Sequence, residues 1–234
     1  MTLSDSNGNI CSTWEFNFSD FDLKKDPHVE SSINLLRSNG LDFEKIRRDG
    51  IEGRVFVGKF LEILSRHRNL KWVTFHGLYD LAYMLKLLSG NPLPGSVFDF
   101  IKLASGYFEY VYDIKFMARF CDGLMGGELG LNRAAKILNL ERSGDAHNAG
   151  SDSLLTAAVF ARMRKMYRID ERFIIGFLYG ISARIPIFRR EMMVPLHCHP
   201  YVPPPSCPRV VYCGRPLLPQ PHYYVPVQLA RFPC

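Results

Sequence analysis

His147-Asn148-Ala149-Gly150-Ser151-Asp152 sets an imidazole five residues ahead of a carboxylate, and the apolar run Ser153–Phe160 follows at once. That spacing suits a metal-dependent nuclease, in which the acid binds a cation and the imidazole activates water. A histidine with an ordinary pKa of about 6.5 is available in its neutral, proton-accepting form at neutral pH. A second carboxylate, Asp80, follows the segment Trp72-Val73-Thr74-Phe75-His76-Gly77-Leu78-Tyr79, a buried strand leading into a helix. Each residue also has a plainer reading. An acid in the first turn of a helix is favoured by the helix dipole, and a loop histidine needs no function. Two acids at helix starts beside one sheet edge, with a histidine in the adjoining loop, are a more specific combination.

Other groups fit chemistry less well. His197-Cys198-His199, with Cys207 and Cys213 beyond, has zinc-binding residue types but no zinc-finger spacing, and Pro195, Pro200 and Pro203–Pro205 interrupt it. Gly126-Gly127 lacks the Lys-Ser/Thr that completes a phosphate loop, and reads as the turn before a helix. Asp113 lies in an apolar strand, where a buried acid needs a partner; its reading is mainly structural. Asp42-Phe43-Glu44 and Asp20-Phe21-Asp22 have the i, i+2 spacing that puts two acids on one face of a strand. The first sits in a short helix or loop, where such residues diverge, and the second at the end of a hairpin.

The elements that must position these residues follow from pattern. Asn7-Gly8 between Met1–Ser4 and a run with Trp14, Phe16 and Phe18 on alternate positions predicts a β-hairpin. Asp26-Pro27 reads as the start of a helix carrying Val29, Ile33 and Leu36, stopped by Asn39-Gly40. A helix over 52–66 presents Phe56, Phe60 and Leu64 on one face. A strand over 71–75 precedes a helix marked by Leu78, Leu81, Leu85 and Leu88. A strand over 110–114 and helices near 115–121, 129–139, 150–167 and 171–178 complete the body. The alternation predicts an α/β fold, a mixed sheet flanked by helices.

Composition bounds the class. At 234 residues the chain has room for one sizeable core, and its 47% hydrophobic and 22% charged content is ordinary for a globular protein. No apolar run reaches the length of a membrane span, Met1–Asp5 carries no secretory pattern, and the six scattered cysteines read as reduced thiols inside the cell. Twelve of the fifteen prolines lie after residue 183, and five of the six net positive charges belong to that same stretch. Two regions are therefore expected: a body over 1–182, nearly neutral, and a Pro-rich, extended and mostly disordered tail over 183–234. The tail's prolines and tyrosines also suit docking on aromatic-lined grooves.

Five blocks, in order, resemble one family. Trp72–Asp80, Tyr112-Asp113-Ile114-Lys115, Gly126–Leu131, His147–Thr156 and Gly176-Phe177-Leu178-Tyr179-Gly180 are similar to the CCR-associated-factor (Pop2/Caf) deadenylase subunit of the CCR–NOT complex, in its plant-like branch. The resemblance covers residues 1–182. It implies a ribonuclease-H-like exonuclease fold of the DEDD class, His subclass, and removal of messenger-RNA poly(A) in the 3′→5′ direction with two divalent metals, Mg2+ or Mn2+. By position, Asp80 and Asp152 would be metal ligands and His147 the general base. The poly(A) tail, the scaffold and the second-nuclease subunit of the complex are the implied partners. Messenger-RNA decay and transcription regulation, in nucleus and cytoplasm, are the implied setting.

The family's first motif, an Asp-x-Glu on the first strand, precedes the hairpin with which this chain opens. That strand and its two acids are expected to be missing, leaving unpaired backbone along a neighbouring strand and inviting strand donation by a partner. A catalytically impaired member acting as an interaction module of the complex is the alternative reading.

Overall fold

The protein is described by a computed structural model over residues 1–67, 69–187 and 224–226. The alternating N-terminal pattern folds as a hairpin. β1 (Thr2–Ser4) and β2 (Ile10–Thr13) pair antiparallel, with a register shift between Leu3 and Ser4. The Asp5 carboxylate accepts the backbone N–H groups of Asn7 and Asn9 at 2.9 and 2.8 Å, and Gly8 turns the chain at φ +86°. A Cβ there would stand 2.5 Å from the Ala161 Cβ, so the position combines a left-handed turn with close packing on a helix.

The hairpin leads to α1 (Glu30–Ser38), α2 (Phe43–Asp49) and α3 (Gly53–Arg66). Ile33 and Leu36 are buried on α1, and Phe56, Phe60 and Leu64 on α3, as the 3.6-residue spacing requires. β3 (Lys71–Thr74) feeds α4 (Leu78–Ser89), then α5 (Val97–Ser105). β4 (Tyr110–Asp113) lies parallel to β3 with Lys71 opposite Tyr110 and Thr74 opposite Asp113. α6 (Ile114–Met117), α7 (Leu131–Ile137) and the long α8 (Ala149–Met166) close the body.

A fifth strand, β5 (Tyr224–Pro226), comes from the C-terminal stretch. It runs antiparallel to β1 and parallel to β3, giving the order β2-β1-β5-β3-β4. The sequence reading places no strand there. The rest of the tail, 188–223 and 227–234, lies outside the described residues.

Strand alternation divides the core. Trp72 and Val111 join Phe56, Phe60, Leu81, Leu85, Phe100 and Phe108 on one side of the sheet. Val73 and Tyr112 join Leu131, Leu155, Val159, Phe160 and Met163 on the other. β3 is thus apolar on both faces, as a covered strand with parallel neighbours must be. Trp72 stands edge-on to Phe108 at 5.0 Å and Tyr112 meets Phe160 at 5.4 Å.

Three local expectations are corrected. Asp26-Pro27 does not start α1, which begins at Glu30 with Val29 before it. The Asp26 carboxylate instead accepts the Asp22 N–H at 2.6 Å and closes a turn. α5 was not expected from apolar spacing, although Ser96 caps it by accepting the Asp99 N–H at 3.1 Å. The helix expected over 171–178 is a single 3-10 turn, Glu171–Phe173. Beyond it Gly176, at φ +78°, donates its N–H to the Val111 carbonyl at 2.8 Å and accepts from Ile185, so lateral bonds replace helical ones.

Candidate active site

β3 and β4 end side by side, and the chain must turn sharply at both ends. Asp113, fully buried at the end of β4, organises both turns. Its Oδ1 accepts the N–H groups of His76 (2.8 Å) and Lys115 (3.0 Å), and its Oδ2 those of Gly77 (3.2 Å) and Tyr179 (3.1 Å). Burial pushes the Asp113 carboxyl above its ordinary range while the four N–H groups pull it down. The acid that the sequence marked as structural is the clamp that fixes where α4 begins. His76 takes φ +58° in this turn. At Gly77 an added Cβ would fall 2.1 Å from the Thr74 Cβ, so only glycine lets the turn close.

Asp80 follows in the first turn of α4 and is buried, 5% exposed. Around the same turn the His76 and Tyr179 rings meet edge to face at 5.0 Å, the Lys115 ammonium lies 4.4 Å over the Tyr179 ring, and the Tyr179 hydroxyl donates to Glu128. Gly127, at φ +87°, approaches the Lys115 carbonyl too closely for any side chain. The Gly126-Gly127 pair is therefore a packed turn beside the site, not a phosphate loop.

Asp152 reaches the same end of the sheet from the other side. Ser4 is level with Tyr224 and Tyr224 with Lys71, so Thr2, two residues earlier on an antiparallel strand, stands level with the end of β3. Ser153 donates to the Thr2 hydroxyl at 2.8 Å, pinning the start of α8 at that level. Asn148 caps α8 by accepting the Ser151 N–H at 3.0 Å, and Asp152 occupies its first turn. His147, one residue before the cap, is exposed at φ +67°. Among the described residues it makes no hydrogen bond or ion pair.

Sequence reasoning missed Arg142. Its guanidinium pairs with the Asp152 carboxylate at 2.6 Å and donates to Ser151 (2.9 Å) and Asn132 (2.8 Å). Both side chains of the pair are largely shielded, at 16% and 17% exposure. It sits in the polar stretch Glu141–Gly144, which carries no pattern that would single it out.

Asp80 and Asp152 are hard oxygen donors, the kind Mg2+ and Mn2+ take. Among the described residues, however, no three of His, Cys, Asp and Glu gather into a metal-holding group. Three of the four acids in the two i, i+2 pairs are occupied structurally. Asp42 caps α2 through the Lys45 N–H at 3.0 Å, Asp20 accepts the Gly53 N–H at the start of α3 at 2.7 Å, and Asp22 pairs with Arg47.

A mixed sheet covered by helices, with acids in the first turns of two helices at one sheet end, defines a nuclease-type α/β domain. Residues 54–160 match the family described as CAF1 family ribonuclease. The Arabidopsis thaliana protein named Probable CCR4-associated factor 1 homolog 1 is 41% identical over 205 residues, 84% of this chain and 56% of that protein. Probable CCR4-associated factor 1 homolog 7 of the same organism is 41% identical over 194 residues, 78% of this chain and 69% of that protein. Among solved structures, Pop2p of S. pombe in its Mg2+ and Mn2+ bound form superposes with a TM-score of 0.68 at 37% identity, covering 76% of this chain and 71% of that one.

The chain belongs to the CAF1 ribonuclease family, and its fold is the ribonuclease-H-like exonuclease fold. It spans between about half and two thirds of the length of the two plant relatives.

Proposed function

We propose that this chain acts as a 3′→5′ poly(A)-specific exoribonuclease, a deadenylase subunit of a CCR–NOT type complex in nucleus and cytoplasm. The observation that carries the reading is the convergence of Asp80 and Asp152, from two helix starts, on one end of a sheet of the CAF1 type. Asp80 is buried in the first turn of α4, and Asp152 in the first turn of α8 is held by Arg142. Magnesium commonly binds through one or two carboxylates and completes its shell with water and substrate phosphate, which accords with two acids and no preformed cage. Bound there, divalent cations would supply charge stabilisation to the attacking and leaving oxygens of the phosphodiester.

The chain's own residues divide the remaining work. His147, exposed at the mouth and held by the turn before the Asn148 cap, takes the proton from the attacking water. Asp113 keeps the β3–α4 turn, and with it Asp80, in one place. Arg142 balances Asp152 while no cation is bound, and must release that carboxylate for it to act as a ligand. The adenylate would be held by stacking and phosphate contacts.

The test is release of AMP from a labelled 3′-oligoadenylate with added Mg2+, beside Asp80→Ala and Asp152→Ala. A second reading is favoured by the Arg142–Asp152 pair, which occupies one of the two acids. In it the chain is a catalytically impaired member that binds the scaffold of the complex. Metal-dependent AMP release that both substitutions abolish would exclude it.

A further inference from the structure

We propose that Lys115, Phe116, Arg119 and Phe120, with Phe177 and Arg184 packed against them, form a platform that binds single-stranded RNA beside the candidate site, by base stacking and phosphate contacts and without a metal ion. The identity of the strand, an adenylate, rests on the exoribonuclease reading; the binding itself does not.

The platform grows out of the turn that follows β4. α6 opens directly after Asp113, and a 3-10 turn, Ala118–Phe120, continues it. Ile114, Met117 and Ala118 are buried, which leaves Lys115, Phe116, Arg119 and Phe120 on the outer side. The Phe116 ring stacks on that of Phe177, with centroids 5.1 Å apart and planes 10° from parallel. Phe120 meets Phe116 edge-on at 5.7 Å and is 52% exposed. The guanidinium groups of Arg119 and Arg184 lie over the Phe116 and Phe177 rings at 5.8 and 5.3 Å. The Lys115 ammonium covers the Tyr179 ring, whose contact with His76 joins the platform to the turn that leads to Asp80.

The charge of the group is uncompensated. Among the described residues Lys115, Arg119 and Arg184 form no ion pair; Arg184 gives its Nε–H to the Ile175 carbonyl at 2.8 Å. Glu128, at the edge of the group, takes the hydrogen bond of the Tyr179 hydroxyl. Three cations against one carboxylate make this face positive on a body that is nearly neutral. Cations resting on ring faces rather than on carboxylates remain available to an anion. A single strand offers both things the platform can hold: phosphates for the cations, and flat bases for the exposed ring and the guanidinium planes. An acidic peptide would meet the charges but leave the stacking surfaces without a partner.

The experiment uses the full 234-residue chain and the fluorescence anisotropy of a labelled oligoadenylate in EDTA, so that metal-dependent cleavage does not enter. Phe120→Ala should weaken binding about 5- to 100-fold, the loss of one stacked base. Arg119→Gln should lower the slope of log affinity against log salt by about 0.7, the loss of one phosphate contact. Both side chains are exposed, so the melting curves of both variants should match the wild type. A strand of equal length lacking its bases should bind the wild type more weakly than the oligoadenylate by the same factor as Phe120→Ala. Unchanged binding in both variants, or equal binding of the two strands, would overturn the proposal. So would displacement of the strand by polyglutamate together with unchanged binding in Phe120→Ala, which would give the face to a protein partner. A chain that binds in EDTA with these dependences but releases no AMP with Mg2+ would keep the platform and lose only the exoribonuclease reading. A chain that releases AMP but does not bind in EDTA would lose the platform alone.

Discussion

The two ends of the candidate site are built on opposite principles. Around Asp113 every polar atom is fixed: four backbone N–H groups meet two buried oxygens, and the turn they hold admits only glycine at position 77. Around Asp152 the carboxylate is held, among the described residues, by one side chain, Arg142, and the histidine near it is exposed. Backbone clamps cannot be exchanged without local unfolding, whereas a side-chain partner can swing away. The difference separates a floor fixed by backbone bonds from a rim held by a side chain, and the proposed nuclease, which would bind and release cations and RNA, would need both.

The largest expected effect tests the rim. His147→Ala should lower the rate of AMP release by about 10²–10⁴ if the imidazole is the base, with the thermal midpoint unchanged because the residue is exposed and makes no hydrogen bond or ion pair among the described residues. Steady-state turnover with circular dichroism melting measures both. Unchanged turnover would remove the role.

Asp113→Ala should cost stability instead, on the order of 3 kcal/mol or more, because several buried N–H groups lose their acceptor at once. Urea denaturation reads it directly. A loss below about 1 kcal/mol would show that the floor is not the fixed element described here.

Arg142→Ala sharpens the contrast. Breaking a largely shielded ion pair should destabilise by about 1–2 kcal/mol, below the range for fully buried pairs. It should also raise the affinity for Mn2+, measured by calorimetry, because Asp152 no longer has a competing cation. Weaker Mn2+ binding would assign Arg142 to holding the acid in place.

The smallest effect lies away from the site, at Glu171. Burial raises this carboxyl, but the Tyr112 hydroxyl at 2.6 Å, Lys71 at 3.3 Å and Arg164 at 3.4 Å together bring it below its ordinary value of about 4.5. A depressed folded-state value means stability that is fully present above about pH 4.5 and lost as pH falls through the lower folded value. Glu171→Gln should therefore cost about 1 kcal/mol or less at pH 7, since the group is partly exposed, and should flatten the loss below pH 4.5. Melting curves between pH 3 and 7 test the sign.

Much of this was legible in the residues. The hairpin, α3, β3, α4, β4 and α8 follow from alternation, from Phe56-Phe60-Leu64 spacing and from apolar β-branched runs, because burial selects those patterns directly. Asp80, Asp152 and His147 were visible as acids at helix starts with a neighbouring histidine, and the structure places the acids at one sheet end. What was not legible depends on contacts distant in sequence. Arg142 reaches Asp152 only because the loop before α8 folds back. The span from Gly176 bonds sideways to β4 and Ile185, which overrides its helical spacing. β5 pairs with strands more than 150 residues away, and its Val-Pro sequence argues against a central strand. Asp26-Pro27 misled because the same dipeptide closes turns as readily as it opens helices.

The most direct test is metal-dependent AMP release from a 3′-oligoadenylate by the purified 234-residue chain, with Asp80→Ala and Asp152→Ala in parallel. The account predicts release that requires Mg2+ or Mn2+ and disappears in both variants. A folded chain that releases no more AMP than those variants at any metal concentration would contradict it, and would leave the domain to act through its partners.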